Sequence, residues 1–600
     1  MTNLDYSDRQ DFDDVDRGFI GALTPTIVHG SDGQVVWDNT KFDFIDGECP
    51  DTVNPSLWRQ GKLTAKHGLF EVTERVYQIR GLDLSNISFI EGDTGVIVID
   101  PLMSVETADA ALKLYRVHRG ERPVVAVIHT HSHADHYGGV AAVADENTPI
   151  YAPSGFMEHA VSENVYAGAA MSRRAAYMYA SDLPTGPTGQ MGAGLGMATS
   201  MGTMSLMTPT VDITHTGQEE VIDGVRVVFQ VTPGTEAPSE MNFLFPDFRA
   251  ACLAENATHT LHNLLTLRGA EVRDARAWSR YLHEAIELFV DKIDVVFASH
   301  HWPTWDQDRI RRFLTEQRDL YCYLHDQTLR LANKGFTGIE IAENFELPPR
   351  IDDAWNARGY YGSVSHNVKA IYQRYLGWFD GNPAHLWEYP PEEEGRRYVE
   401  AMGGADSALD NARAALDAGD LRWGATVASH VVFSGSGDAS AKEVLATALE
   451  RLGFGAENGT WRNFYLRGAA ELRGPIAPPP PDTASPQVLS ALTIEQLFDS
   501  LGVRIDGPSA ASDSLGIDFR FTDLDRVYRV QLSNGALIHA DRGTSDAPAD
   551  LTVTLTKIQL LGALATADFT ALDLDGDAGV VRALFGRLDT VDHQFPIVTP

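Results

Sequence analysis

At 600 residues the chain is too long for one ordinary hydrophobic core, and about two to four domains are expected. An apolar share of 44% and an aromatic share of 9% describe a globular chain, which excludes a mainly disordered one. With 83 acidic against 48 basic residues the formal net charge is −35, a field that repels nucleic acid and anionic membranes. A small anionic substrate would also be repelled unless the active site carries its own positive charge.

The opening stretch MTNLDYSDRQDFDDVDRG is acidic and polar, with neither a basic nor an apolar leader region, so the chain reads as cytoplasmic as written. No apolar run approaches the length of a membrane span, and no transmembrane segment is expected. Residues 1–340 mix short β-rich runs with helices. NISFI, EGDTG and VIVID read as two strands joined by a tight turn and ending at Asp100. SVETADAALKLYRVHRG follows as a helix, capped by Ser104 and ended by Gly120. PVVAVIH is the next strand, and its continuous apolar character suits burial on both faces. GVRVVFQVTP and KIDVVFASHHWP repeat the form of a strand followed by a polar loop. Such alternation predicts an α/β fold of layered sheets with helices outside.

The Gly- and Met-rich stretch 185–210 breaks this pattern. It reads either as a flexible surface insert or, because methionines make adaptable apolar surfaces, as a lining for an apolar substrate. Residues 341–475 read as amphipathic helices throughout, and IAPPPPDTASP (476–486) is a Pro-rich linker. In 487–600, IDFRFTD, RVYRVQLS, ALIHAD and LTVTLT alternate with period two before TKIQLLGALA turns helical, which predicts a small α+β domain.

Chemistry concentrates in THSHADHYGG, where His131, His133, Asp135 and His136 follow the buried strand directly. Imidazoles two apart on an extended loop can grip one ion, while Asp135 and His136 turn toward a second position. Nitrogen and carboxylate donors without thiolate suit zinc, and Cys49, Cys252 and Cys322 are too scattered for a thiolate site or a disulfide framework.

The H-x-H-x-D-H spacing of His131–His136 resembles the metallo-β-lactamase superfamily. The turn TPGTEAPSE offers Glu236 where that superfamily commonly has a histidine, CLAEN offers Glu255 in place of an aspartate, and ASHHWPTW holds His300 and His301. These departures, with TEAPSEM, THTLHNLLTLRGAEVRD and ARGYYGSVSHNVKAIYQRYLGWFDGNP, resemble the alkylsulfatase branch, which hydrolyses dodecyl sulfate and related esters. The resemblance implies an αββα metallo-β-lactamase sandwich in 1–340, a helical homodimerisation domain in 341–475 and a sterol-carrier-like domain in 487–600. It also implies two zinc ions per chain, one on His131, His133 and Glu236 and the other on Asp135, His136 and His300, with Glu255 bridging. Glu240 rivals Glu236 in the same loop, and His301 reads as a packed neighbour of His300.

Asn263, Arg268 and Arg273 are the expected sulfate seat, guanidinium groups matching tetrahedral oxyanions through paired donors. On spacing alone these arginines read equally well as surface ion pairs; the resemblance favours the anion. His366 is the expected proton donor to the departing oxygen, because histidine titrates near neutrality. The implied activity is hydrolysis of alkyl sulfates to alcohol and sulfate. Another zinc-dependent ester hydrolase (phosphodiesterase, thioesterase or lactonase) and a lipid carrier are the competing readings.

Overall fold

The structure, a computed structural model, describes residues 4–436, 439–475, 486–542, 548–566 and 568–600. All but the last residue of the expected linker 476–486 lies outside these described residues. The chain packs as two compact units. One holds residues up to His159, Ser172–Pro481 and Gln594–Pro600; the other holds Ala160–Met171 and Asp482–His593.

Two sheets form the heart of the first unit. In the eight-stranded sheet, Gly68–Thr73, Val76–Arg80, Ile87–Glu91 and Val96–Ile99 pair antiparallel in sequence order, and Val124–Ile128 and Ile150–Pro153 then join parallel. The six-stranded sheet includes the antiparallel run Val225–Val231, Met241–Phe245 and Ala250–Cys252, with Val295–Phe297 parallel to the last of these. Ile97, Ile99, Ala126 and Ile128 of the first sheet meet Phe229, Phe243, Phe245 and Phe297 of the second in one buried apolar layer. This layer accounts for the unbroken apolar strands in the sequence, since their other faces are covered by helices.

Helix Val105–Arg119 lies over the first sheet, with Ser104 accepting from the Thr107 N–H and Gly120 at φ 89° ending it. Helices Ala275–Phe289 and Gln307–Ala332 cover the second sheet. The result is the four-layer αββα sandwich, extended by a helical region. Five longer helices of that region, Pro391–Ala401, Ala405–Asp417, Leu421–Val431, Ala439–Gly455 and Gly459–Arg473, share one apolar cluster. Residues 353–363 and 377–390, by contrast, are mostly irregular, so helix does not run throughout 341–475. Gly359 and Gly362 interrupt the first gap and Gly377, Gly381, Pro383 and Pro390 the second, denying both a continuous helical ladder.

In the second unit the five-stranded sheet runs in the order Ala536–Asp541, Arg526–Ser533, Ser514–Phe521, Leu551–Leu555, Asp573–Gly576. Helices Ile494–Gly502, Lys557–Thr566 and Gly579–Phe585 pack on its apolar face. Val161, from the mid-chain segment of this unit, is buried in the same core.

Of the two readings of 185–210, burial removes the surface insert. Met191, Met197 and Met204 are nearly inaccessible, and the first two pack with Trp58 and Tyr360 in the core beneath the first sheet. Arg462 fixes the start of this stretch by donating to the carbonyls of Pro187 and Gly189.

Candidate metal centre

Register explains why the polar loops converge. Ile99 pairs with Ile128 in parallel, so Asp100 and the loop at 129–136 leave the sheet side by side. Cys252 pairs likewise with Phe297, which sends Glu255 and His300 out of the same end of the second sheet. Two links join the sheets there: Met241 N–H donates to the Thr130 carbonyl at 2.9 Å, and His131 forms a β-bridge with Glu240.

The convergent side chains fall into groups whose ligand atoms all lie within 4.8 Å of one another: His131, His133 and Glu236; Asp135, His136, Glu255 and His300; and Glu236, Glu255 and His262. Glu255 is the shared member of the last two. Its Oε1 lies 2.8 Å from His136 Nε2 and 2.7 Å from His300 Nε2, while its Oε2 lies 2.8 Å from His262 Nε2. Glu236 Oε2 is 3.2 Å from His131 Nε2 and 2.7 Å from His133 Nδ1. Asp135 reaches to 3.2 Å from His136 Nε2 and 3.5 Å from His300 Nε2.

The outward ring nitrogens are held from behind. His136 Nδ1 donates to Asp100 at 3.0 Å, and His300 Nδ1 donates to the Leu84 carbonyl at 3.0 Å. Asp100 also accepts from the Thr130 N–H and hydroxyl and from Ser299. Such partners fix which nitrogen faces inward and raise its basicity. Nothing in the sequence analysis assigned Asp100 or His262 to the site. For Asp100 the signal was its position at the end of VIVID; for His262 it was adjacency to Asn263 alone.

Electrostatics mark the cluster as a seat for positive charge. Burial opposes ionisation of Glu236, yet the charges of Arg273 and then His133 bring its carboxyl down to about 2. Burial likewise opposes charge on His300, but Glu255 raises it to about 9. Asp135 and Glu255 are held well below the carboxylate range despite burial, by His136 and His300 respectively. Burial, with the neighbouring His136 charge, lowers His131 to about 3, so this imidazole is neutral and a ready electron-pair donor. Its Nε2 and Glu236 Oε2 are buried and lack a hydrogen-bond partner. Imidazole nitrogens and carboxylate oxygens gathered at this density, with donor atoms left over, fit divalent cations of the zinc type.

The residues expected to seat sulfate divide. Arg273 is buried, its guanidinium contacting Glu236 and donating to the Asn263 side chain at 2.6 Å and carbonyl at 2.8 Å. Arg268 is half-buried and donates to the adjacent Gly269 carbonyl at 2.9 Å. Its charge acts on Tyr179, whose hydroxyl burial pushes up to about 12 against that charge. The Tyr179 and Tyr361 hydroxyls are 3.1 Å apart, and Leu195, Met178 and Leu267 pack around them. Residues 258–274 are irregular, so helical spacing does not govern the two arginines.

His366 differs from its expected role. Its Nε2 donates to the Leu265 carbonyl and its Nδ1 accepts from Trp461 at 3.1 Å, which commits both nitrogens, and burial lowers it to about 4. Both ring nitrogens are thus turned to Leu265 and Trp461 and not to the donor clusters. His301 points away from the cluster, accepting the His259 N–H at 3.0 Å, with its other nitrogen 3.1 Å from the Gly194 carbonyl. Glu240 is buried beside Glu236, and burial together with the Glu236 charge raises it to about 8.

Comparison with known proteins adds the family. Residues 80–195 match the family model of the metallo-β-lactamase superfamily, 337–474 that for alkyl sulfatase dimerisation and 482–600 that for the alkyl sulfatase C-terminal region. A linear primary-alkylsulfatase from a Pseudomonas species is 49% identical over the whole of this chain and 91% of its own length. The chain belongs to the alkylsulfatase family. An (R)-specific secondary-alkylsulfatase, also from Pseudomonas, is 43% identical over the whole chain and 92% of its own. The solved structure of the stereoselective inverting sec-alkylsulfatase Pisa1 from Pseudomonas superposes with a TM-score of 0.97 at 43% identity, covering 100% of this chain and 96% of that one. For this alkylsulfatase-family chain, superfamily and donor clusters together mean binding of divalent metal.

Proposed function

We propose that the chain hydrolyses alkyl sulfate esters to an alcohol and inorganic sulfate, using two zinc ions. His131, His133 and Glu236 would hold one and Asp135, His136 and His300 the other, with Glu255 between them. The carrying observation is the Glu255 carboxylate, which lies 2.7–2.8 Å from three imidazoles. When bound, such ions lower the pKa of water toward neutrality and so supply hydroxide.

The remaining steps belong to side chains. Arg268 offers a half-buried guanidinium on the ester's single negative charge, offsetting the chain's net −35 locally. Tyr179 and Tyr361 stay protonated, since burial raises both, and can donate hydrogen bonds to ester oxygens. Leu195, Met178 and Leu267 form an apolar wall that excludes water beside the hydroxyls and suits an alkyl chain. Arg273 and Asn263 act from behind, holding Glu236 in place.

The same reading includes a homodimer through the region 337–474, supported by its dimerisation-model match. Trp378, Leu386, Trp387 and Tyr389 are exposed apolar side chains suited to burial against a second copy. The sterol-carrier likeness of 487–600, supported by its helix-packed sheet, suggests a place where an amphiphilic substrate gathers.

Sulfate release from octyl and dodecyl sulfate by zinc-loaded protein tests the reaction, with phosphodiesters and lactones as controls. Release from the sulfate esters alone supports the reading. Turnover of the controls alone, by protein holding two zinc ions, would replace it.

A further inference from the structure

Glu240 binds together parts of the site that no single strand end joins. Its side chain is 1% exposed. Oε2 accepts the N–H of Glu236 at 2.9 Å and of Ala237 at 3.2 Å, while Oε1 accepts the N–H of Glu255 at 3.3 Å. The Thr235 hydroxyl lies 2.6 Å from Oε2. The backbone of Glu240 bridges to His131, and its carbonyl accepts the Thr232 N–H at 2.9 Å. One residue therefore fixes the main chain at Glu236, at Glu255 and at His131, which sit on loops from two sheets.

We propose that Glu240 is a positioning residue that couples the two donor groups, so that neither ion is bound well unless this carboxylate holds Glu236 and Glu255 in register. The inference rests on the two-ion reading above. Whether ionised or protonated toward the Thr235 hydroxyl, Glu240 keeps both oxygens as acceptors, whereas a glutamine of nearly the same size presents only one. Its NH₂ must then face either the Glu255 N–H or the Glu236 and Ala237 N–H groups, leaving a buried donor unmatched. Groups that orient metal ligands typically change affinity by about ten- to a hundredfold when lost. Here that loss falls on both ions, because both glutamates are released together.

Metal-free protein is titrated with zinc and with cobalt(II), following bound metal and the cobalt absorption bands, for the unaltered chain, Glu240→Gln and Ser239→Ala. Ser239 is a control in the same turn: its hydroxyl donates to the Pro153 and Ser154 carbonyls at 3.0 Å. Thermal melting of the metal-free forms checks that each is folded. The expected result is two ions for the unaltered chain and Ser239→Ala, with both steps weakened about ten- to a hundredfold in Glu240→Gln. Loss of one step only, unchanged binding, or an equal loss in Ser239→Ala would overturn the coupling. Fewer than two ions on the unaltered chain would remove the reading beneath it. If Glu240→Gln is not recovered folded, Thr235→Val removes only the neighbouring hydroxyl, and a smaller loss in both steps is expected; no loss overturns the proposal.

Discussion

The strand-end cluster of the first unit and the sheet of the second both bury ionisable side chains, and they neutralise them differently. Around Glu255 the buried acids Asp100 and Glu236 face imidazoles, Arg273 sets a permanent cation against Glu236, and Glu240 is met by backbone N–H groups. In the second unit Asp518 is 5% exposed and is met by two guanidiniums, Arg529 (Nη2 to Oδ2 at 2.9 Å) and Arg542. The first arrangement leaves a surplus of donor atoms for a cation. The second is complete in itself. Charge burial thus marks a functional site only where the protein does not supply the whole compensation.

The largest effect should come from removing the shared carboxylate. Glu255→Ala should reduce sulfate release by roughly 10³-fold or more, since it dismantles the source of hydroxide. Metal content should fall with it, while amide exchange of Ser514–Phe521 stays unchanged. Matching loss of protection there would break the comparison.

Next in size is the opposite experiment. Asp518→Ala leaves two arginines without their acid and should destabilise the second unit by about 3–5 kcal/mol, read as an earlier urea transition at unaltered metal content. Then come the two arginines of the first unit. Arg268→Ala should lower kcat/KM about ten- to a hundredfold, the worth of a charge-assisted contact, and leave bound metal alone. Arg273→Ala should instead weaken metal retention, because its guanidinium is spent on Glu236 and Asn263.

The smallest effect concerns His366. Its replacement by Gln should change kcat by less than about tenfold, short of the 10²–10⁴ carried by a general acid. His366 and His259, held at about 4 and about 3 by burial from an ordinary 6.5, bind fewer protons folded than unfolded. Their contribution is therefore present above pH 6.5 and is lost as the pH falls toward 4. The urea midpoint should decline across that window, and less steeply in His366→Gln.

Much of this is legible in the amino-acid sequence. The apolar runs VIVID and PVVAVIH end where chemistry begins, and the spacing of His131, His133, Asp135 and His136 named a metal loop by itself. The strands of 514–555 were visible through period-two alternation, because one face of that sheet is buried and the other is not. What was hidden depends on contacts between distant residues. Asp100 and Ser299 lie 199 positions apart and share a hydrogen bond. Arg268 and Arg273 look equivalent as a pair, and only the irregular path of 258–274 gives them different neighbours. His366 has the composition of a catalytic residue and the surroundings of a structural one, a distinction set by Leu265 and Trp461.

The chain's return to its first unit has a consequence for synthesis. Arg173, almost wholly buried, donates to the carbonyl of Phe595, 422 residues later, and also pairs with Glu471. At about 5–20 residues per second a ribosome needs roughly 20 to 80 seconds to cover that interval. Throughout it Arg173 and Glu471 lack their partners at Phe595 and Ile597, while Ala160–Met171 awaits a sheet not yet made. Nascent chains should therefore expose apolar surface long after the metal loop has emerged, and their yield in the cell should depend on how well chaperones hold them during that delay.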